Sequence, residues 1–245
     1  MFPTSRTPDR PDPSERERLL YLRSYLLMRT VIGAIGVILP LFLMIFDTAL
    51  FDGDFPRGSI SAYYHSGLGD FFVSGLSVIG VFLITYMIFH YNWDNVLSII
   101  AGIAALTVAH FPTGGNTPLT PLQDLMGEKT VNVIHFTAAT IFILSLCTIS
   151  IMFGVREGSR PDRTDAQHKR GRRLHWICAG AIIVAVLFIA ITKLTHTLDA
   201  KSLFIGETIS ALAFGVSWFS KGLELDILLG RRTEVAVVDA AQSAA

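Results

Sequence analysis

The sequence predicts an all-α, polytopic membrane protein: six transmembrane helices in one bundle, with both termini on the cytoplasmic side. Three observations carry that prediction. The chain is 51% hydrophobic and only 16% charged over 245 residues, whereas a soluble domain carries about 25% charged residues. Its apolar residues form continuous runs rather than alternating ones. Most runs reach the roughly 17 to 20 helical residues that cross a bilayer core, and a helix satisfies its own backbone in lipid. Finally, the formal net charge is zero, yet the basic residues are strongly segregated along the chain.

The elements follow in order. Residues 1–13 hold Pro3, Pro8, Pro11 and Pro13 among polar residues, the composition of a disordered tail. Ser14-Glu-Arg-Glu17 has the spacing of a capping box. It predicts a helix over 15–29, lying on the membrane surface or running straight into the first span. The leader is polar and no small-residue cleavage site follows the first apolar run, so that run reads as a retained anchor. The six spans are 26–46, 70–89, 96–111, 131–155, 174–193 and 203–221, inside a transmembrane domain of 14–229. Residues 230–245 read as a second cytoplasmic tail. Pro40 leaves the carbonyl of Gly36 without its usual donor and predicts a kink in span one. Gly33, Gly36 and Gly75 predict close helix contacts. Cys147 and Cys178 sit inside apolar runs and read as small buried residues.

Charge sets the orientation. Arg6, Arg10, Arg16, Arg18, Arg23 and Arg29 precede or begin span one. Arg156, Arg160, Arg163, Lys169, Arg170, Arg172 and Arg173 join spans four and five, and Lys221, Arg231 and Arg232 end the chain. The opposite side holds only Arg57, Lys129, Lys193 and Lys201. An excess of Lys and Arg marks the cytoplasmic side. The basic 156–173 loop is therefore a topology signal and not a nucleic-acid patch, and no nucleic-acid partner is expected. Trp93, Trp176 and Trp218 fall near the cytoplasmic ends, and Tyr63, Tyr64 and Phe71 near an outer end, as interfacial aromatics do.

Chemistry concentrates on the outer side. The 59–70 stretch, Ser-Ile-Ser-Ala-Tyr-Tyr-His-Ser-Gly-Leu-Gly-Asp, separates two apolar runs. It is expected to be ordered, with the hydroxyls of Tyr63 and Tyr64 in water. The candidate polar cluster is Ser61, Tyr64, His65, Asp70, His110, His135 and Glu207, with His196 at the same boundary. Asp70 also suits the first turn of a helix through the dipole. Glu207 lies about one turn inside span six, where an acid must face the bundle interior or water. Glu207, Ser210, Phe214, Ser217 and Lys221 share one helix face. So do His135, Ala138, Phe142 and Ser145, and so do Asp70, Ser74 and Ser77. These stripes predict an interior seam, with Glu207 paired to His135 or His110.

Several motifs carry a resemblance. Ser-Ile-Ser-Ala-Tyr-Tyr-His, Gly-Asp-Phe-Phe-Val-Ser-Gly, Ala-His-Phe-Pro-Thr at 109–113, Ile-His-Phe at 134–136 and Phe-Gly-Val-Ser-Trp-Phe-Ser-Lys-Gly at 214–222 resemble a bacterial family of uncharacterised multi-pass membrane proteins. More distantly they resemble the DRAM-type six-span proteins. The family pattern has an Arg before the Asp70 position, where this chain has Gly69. A second resemblance, of Ser61 and His65 followed by Asp70, is to the ceramidase and progestin-receptor-like membrane hydrolases. It implies a zinc ion, which His65, His110 and His135 would have to hold. The chain lacks the His-x-x-x-His pair of that superfamily. The expectation is therefore a non-enzymatic protein of the bacterial cytoplasmic (inner) membrane with no required cofactor. It would bind a lipid or small amphiphile in an outward cleft, or serve as an accessory to a partner membrane protein. The zinc hydrolase is the alternative.

Overall fold

In the computed structural model the described residues are 13–51, 53, 55–85, 93–114, 118–157, 165–197 and 199–222. Among them there are seven α-helices and no strand: α1 Pro13–Phe51, α2 Gly69–Thr85, α3 Trp93–His110, α4 Pro121–Met126, α5 Glu128–Glu157, α6 Asp165–Thr195 and α7 Asp199–Gly222. A 3₁₀ segment, Ser61–His65, precedes α2. Of the expected tails 1–13 and 230–245, Pro13 is the first residue of α1, and residues 1–12 and 230–245 lie outside the described residues.

α1, α5, α6 and α7 run longer than their apolar runs. α1 starts at Pro13, one residue before the expected capping box, and continues unbroken through Pro40. Of the two fates considered for its first turns, the chain takes the continuous one. At 39 residues it is about 58 Å long, nearly twice a bilayer core of ~30 Å. α6 starts at Asp165, so the basic run Lys169–Arg173 is helical and not a loop. Polar and basic residues cannot be told from helix ends by hydropathy alone, because Lys, Arg and Glu are good helix formers.

α1, α5, α6 and α7 are long and apolar enough to cross a membrane. α2 and α3 are shorter apolar helices, and the residues joining them, 86–92, are outside the described set. The outer surfaces are those of a membrane protein. On α6, Ile177, Val184, Leu187 and Ile191 are all exposed on one face, and Ile38 and Ile45 of α1 and Val133 and Leu144 of α5 are exposed too. In water such faces would be aggregation-prone patches, whereas in lipid they are solvated.

Six of the described helices, all but α4, form a closed ring. α1 packs along α7 and more lightly on α2, α2 along α3, α3 along α5, α5 along α6, and α6 along α7. Without a hydrophobic drive between helices in lipid, close approach through small residues supplies the packing. At the α1–α7 contact a Cβ on Gly36 would stand 3.1 Å from Gly215 Cα. At the α2–α3 contact Gly80 and Gly102 face each other, each against the other's carbonyl. The expected packing roles of Gly33, Gly36 and Gly75 hold, since Cβ atoms there would meet Phe219, Gly215 and Leu39.

Two of the three polar stripes face inward. Ser210, Phe214 and Ser217 of α7 and His135, Ala138 and Ser145 of α5 are buried. The α2 stripe does not. Asp70 and Ser74 are exposed, and α2 buries Phe72, Leu76, Ile79 and Leu83 instead. Small polar spacing on α2 was outvoted by a larger apolar face on the nearly opposite side of the helix, about 160° away.

Candidate functional site

The 59–70 stretch closes one end of the ring. Ser59 Oγ accepts from the N–H of Ala62 at 2.9 Å and starts the 3₁₀ turn. Ser66 Oγ donates to the Tyr63 carbonyl at 2.7 Å and accepts from Leu68 N–H at 3.0 Å, turning the chain into α2. Gly69 lies against the Tyr64 carbonyl where a Cβ would sit. The Arg that the first resemblance places there would not fit this backbone.

Glu207 anchors the segment from across the ring. Its Oε2 accepts the N–H of Ile60 at 2.8 Å and of Ser61 at 3.3 Å. These are the amides that the start of a 3₁₀ turn leaves without a partner, so a carboxylate remote in sequence caps it. The expected pairing of Glu207 with His135 or His110 is therefore corrected. His135 Nδ1–H donates to the Phe111 carbonyl at 2.5 Å, and His110 Nδ1 meets the carbonyl of Leu106 on its own helix at 2.9 Å. Backbone amides outcompeted imidazoles because the capped segment descends onto α7.

His65 joins the second half of this cap. Its Nε2–H donates to the Thr113 carbonyl at 2.9 Å. The same carbonyl accepts Gln123 Nε2 at 3.0 Å, and Gln123 forms the capping box of α4 with Thr120. His135 is wholly buried, and its Nε2 has no partner among the described residues. Ser61, Tyr64, His65, His135 and Glu207 are thus brought to one end of the ring. Asp70 and His110 are exposed and take no part.

Tyr63 is also not as expected. It is fully buried and its hydroxyl has no partner among the described residues. The Arg57 guanidinium lies 5.6 Å from its ring centre, and burial pushes its phenol above the ordinary value. Arg57 in turn donates from Nε to Asp47 Oδ2 at 2.6 Å, with Asp47 wholly buried at the end of α1. Asp47 escaped the sequence reading, although an acid on the flank of an apolar run is the same signal that singled out Glu207.

A second polar group occupies the opposite end of the ring. Arg29 is buried with its guanidinium carbon 5.3 Å from the Phe153 ring centre and 5.6 Å from that of Trp218. Lys221 Nζ and Glu157 Oε2 pair at 2.5 Å, His168 donates to the Glu157 carbonyl at 2.7 Å, and His175 meets Ser217 Oγ at 2.9 Å. The sequence marked Arg29 and Lys221 as topology signals, Trp218 as an interfacial aromatic and Ser217 and Lys221 as part of the α7 stripe, and did not group them with Glu157 or His175.

Two spaces adjoin Glu207. A cavity of about 100 Å³ lies inside the ring beneath the 3₁₀ segment, walled by Gly36, Leu39, Ser61, Leu76, Phe142, Leu146, Ser210 and Phe214. A groove of about 530 Å³ runs between α5, α6 and α7, walled by Phe136, Leu144, Val186, Ile189, Lys193 and Leu203. Ala139, Ile143 and Glu207 belong to both.

No family model, curated protein or solved structure matches this chain. Neither motif resemblance is matched there, so the site rests on its own geometry. That geometry does not assemble the zinc set. Among the described residues no three His, Cys, Asp or Glu side chains converge on a common point. His110 is exposed on the rim, and one nitrogen each of His65, His110 and His135 already meets a carbonyl.

Proposed function

We propose that this chain is a six-span protein of the bacterial cytoplasmic membrane, N-in and C-in, that holds a single-chain lipid or amphiphile in its outward half. The supporting observation is the position of Glu207. This buried carboxylate stands where an apolar groove, reaching the outer surface between α5 and α6, meets a cavity inside the ring. Groove walls of Phe136, Leu144, Val186 and Ile189 suit an acyl or alkyl chain. Ligand sites of this kind are mostly apolar with few polar groups that fix orientation.

The orientation follows from charge. The Arg29 end carries the basic helix starts of α1 and α6, which suit a negatively charged inner leaflet. The 3₁₀ segment and the groove mouth then lie on the outer side, and α2 and α3 count as the two short spans. A reporter active only outside the cytoplasm should work when fused after Ser66 or Glu128 and stay silent after Arg163 or Gly230. Activity after Arg163 would overturn the orientation. For binding, native mass spectrometry of the purified chain should find a bound single-chain amphiphile. Ala139→Trp, which fills the junction of groove and cavity, should abolish it. Equal amphiphile occupancy in that variant would refute the site.

A further inference from the structure

The head of the bound molecule can be narrowed, given the reading that a chain lies in the groove. Serine and threonine in a helix normally satisfy their hydroxyl by bonding the carbonyl four residues back. Thr30, Thr107, Thr140 and Thr148 all do so, at 2.8 to 2.9 Å. Ser210 does not. It is 1% exposed, its Oγ has no partner among the described residues, and it lines the cavity one turn along α7 from Glu207. Glu207 spends only Oε2 on the amides of Ile60 and Ser61, and no described donor meets Oε1. In its ionised form Glu207 presents Oε1 purely as an acceptor, and it shares one small space with a hydroxyl free to donate.

We infer that this pair receives a hydroxyl head, of a single-chain aliphatic alcohol, with the chain directed along the α5–α6 groove. A hydroxyl satisfies both groups at once: it donates to Glu207 Oε1 and accepts from Ser210 Oγ–H. A carboxylate or phosphate head would set a second anion beside Glu207, and a quaternary ammonium has no hydrogen to give. A cavity of about 100 Å³ is large enough for a head of a few heavy atoms or for water, since one water needs only ~10–15 Å³.

The test is photolabelling of the full chain in nanodiscs. The probe is 1-dodecanol with a mid-chain diazirine, and the control is its methyl ether, which cannot donate. In the unaltered protein the alcohol should label 136–144 and 186–193. The ether should need at least tenfold more probe for equal labelling, as expected for a lost hydrogen bond to a charged acceptor. Ser210→Ala should raise the alcohol concentration needed by about two- to tenfold. It should not weaken the fold, because the lost hydroxyl has no protein partner. Equal labelling by alcohol and ether, with Ser210→Ala without effect, overturns the head assignment and leaves the groove standing. The cavity then holds water. No groove labelling by either probe overturns both readings.

Discussion

Replacing Glu207 separates a structural cap from an incidental acid. In Glu207→Leu the amides of Ile60 and Ser61 lose their acceptor. Ser61 is buried and Ile60 is partly so. An orphaned buried N–H costs about 1–3 kcal/mol, and a hydrogen bond to a charged group is worth about 1.5–3 kcal/mol. Counting Ser61 fully and Ile60 by half, because water can reach it, gives a loss of roughly 2–4 kcal/mol. Glu207→Gln retains an oxygen that can accept both bonds, so its loss should stay near 1 kcal/mol. Local hydrogen exchange is the sharper assay, since membrane-protein melting is seldom two-state. In nanodiscs, amides 60–65 should exchange roughly 30- to 800-fold faster in the Leu variant and no more than about tenfold faster in the Gln variant. Equal protection in the two variants would refute the cap. So would rapid exchange of these amides in the unaltered protein.

Three further outcomes follow. Tyr63→Phe should change stability by no more than about 1 kcal/mol, because the removed hydroxyl is buried with only the Arg57 backbone N–H close to it, outside good hydrogen-bond geometry. It should also flatten the alkaline loss of stability. A phenol raised in the folded state stays protonated while the unfolded one ionises above pH ~10, so stability falls as pH rises through that window, and Phe removes the term. Arg57→Ala should cost about 2 kcal/mol in thermal stability by leaving Asp47 buried and unpaired. This is less than the ~3–5 kcal/mol of a wholly buried pair, since Arg57 is 24% exposed. Adding Asp47→Asn should recover most of the loss, and failure to recover would deny the coupling. Gly102→Val should lower folded yield and stability by at least ~2 kcal/mol, because its Cβ would overlap the Gly80 carbonyl. Full stability there would mean that α2 and α3 are not in that contact.

How much of this was legible depended on how local the signal is. The helical class and the strongest spans could be read because bilayer thickness forces long apolar runs. Helix ends could not, since hydropathy drops at the membrane boundary while α1 and α6 continue through charged residues that favour helix. Glu207 and His135 were legible as buried polar residues because an acid or imidazole in an apolar run has to face inward. Their partners were not. Phe111 and Ile60 contribute backbone atoms, which leave no mark on residue identity. Asp70 and His110 were drawn into the cluster by depth alone, but rotation about the helix axis, which sets exposure, also depends on the neighbouring face. Arg57 and Asp47 lie ten residues apart across a turn, and only their unlike charges hinted at the pair.

Ring closure has a consequence for how the protein is made. Among the described residues the first helix, α1, finds its main neighbour in the last, α7, with Gly36 against Gly215. At about 5–20 residues per second, roughly ten to forty seconds of synthesis separate the two glycines. Throughout that interval Gly33, Gly36 and Arg29 lack the partners that Phe219, Gly215 and Trp218 of α7 give them in the folded chain. The nascent chain therefore passes through an open arc of helices whose gap matches its own missing final member. A neighbouring copy's α7 would fit the same gap, so the pace of elongation past residue 199 sets the competition between closing on itself and exchanging helices.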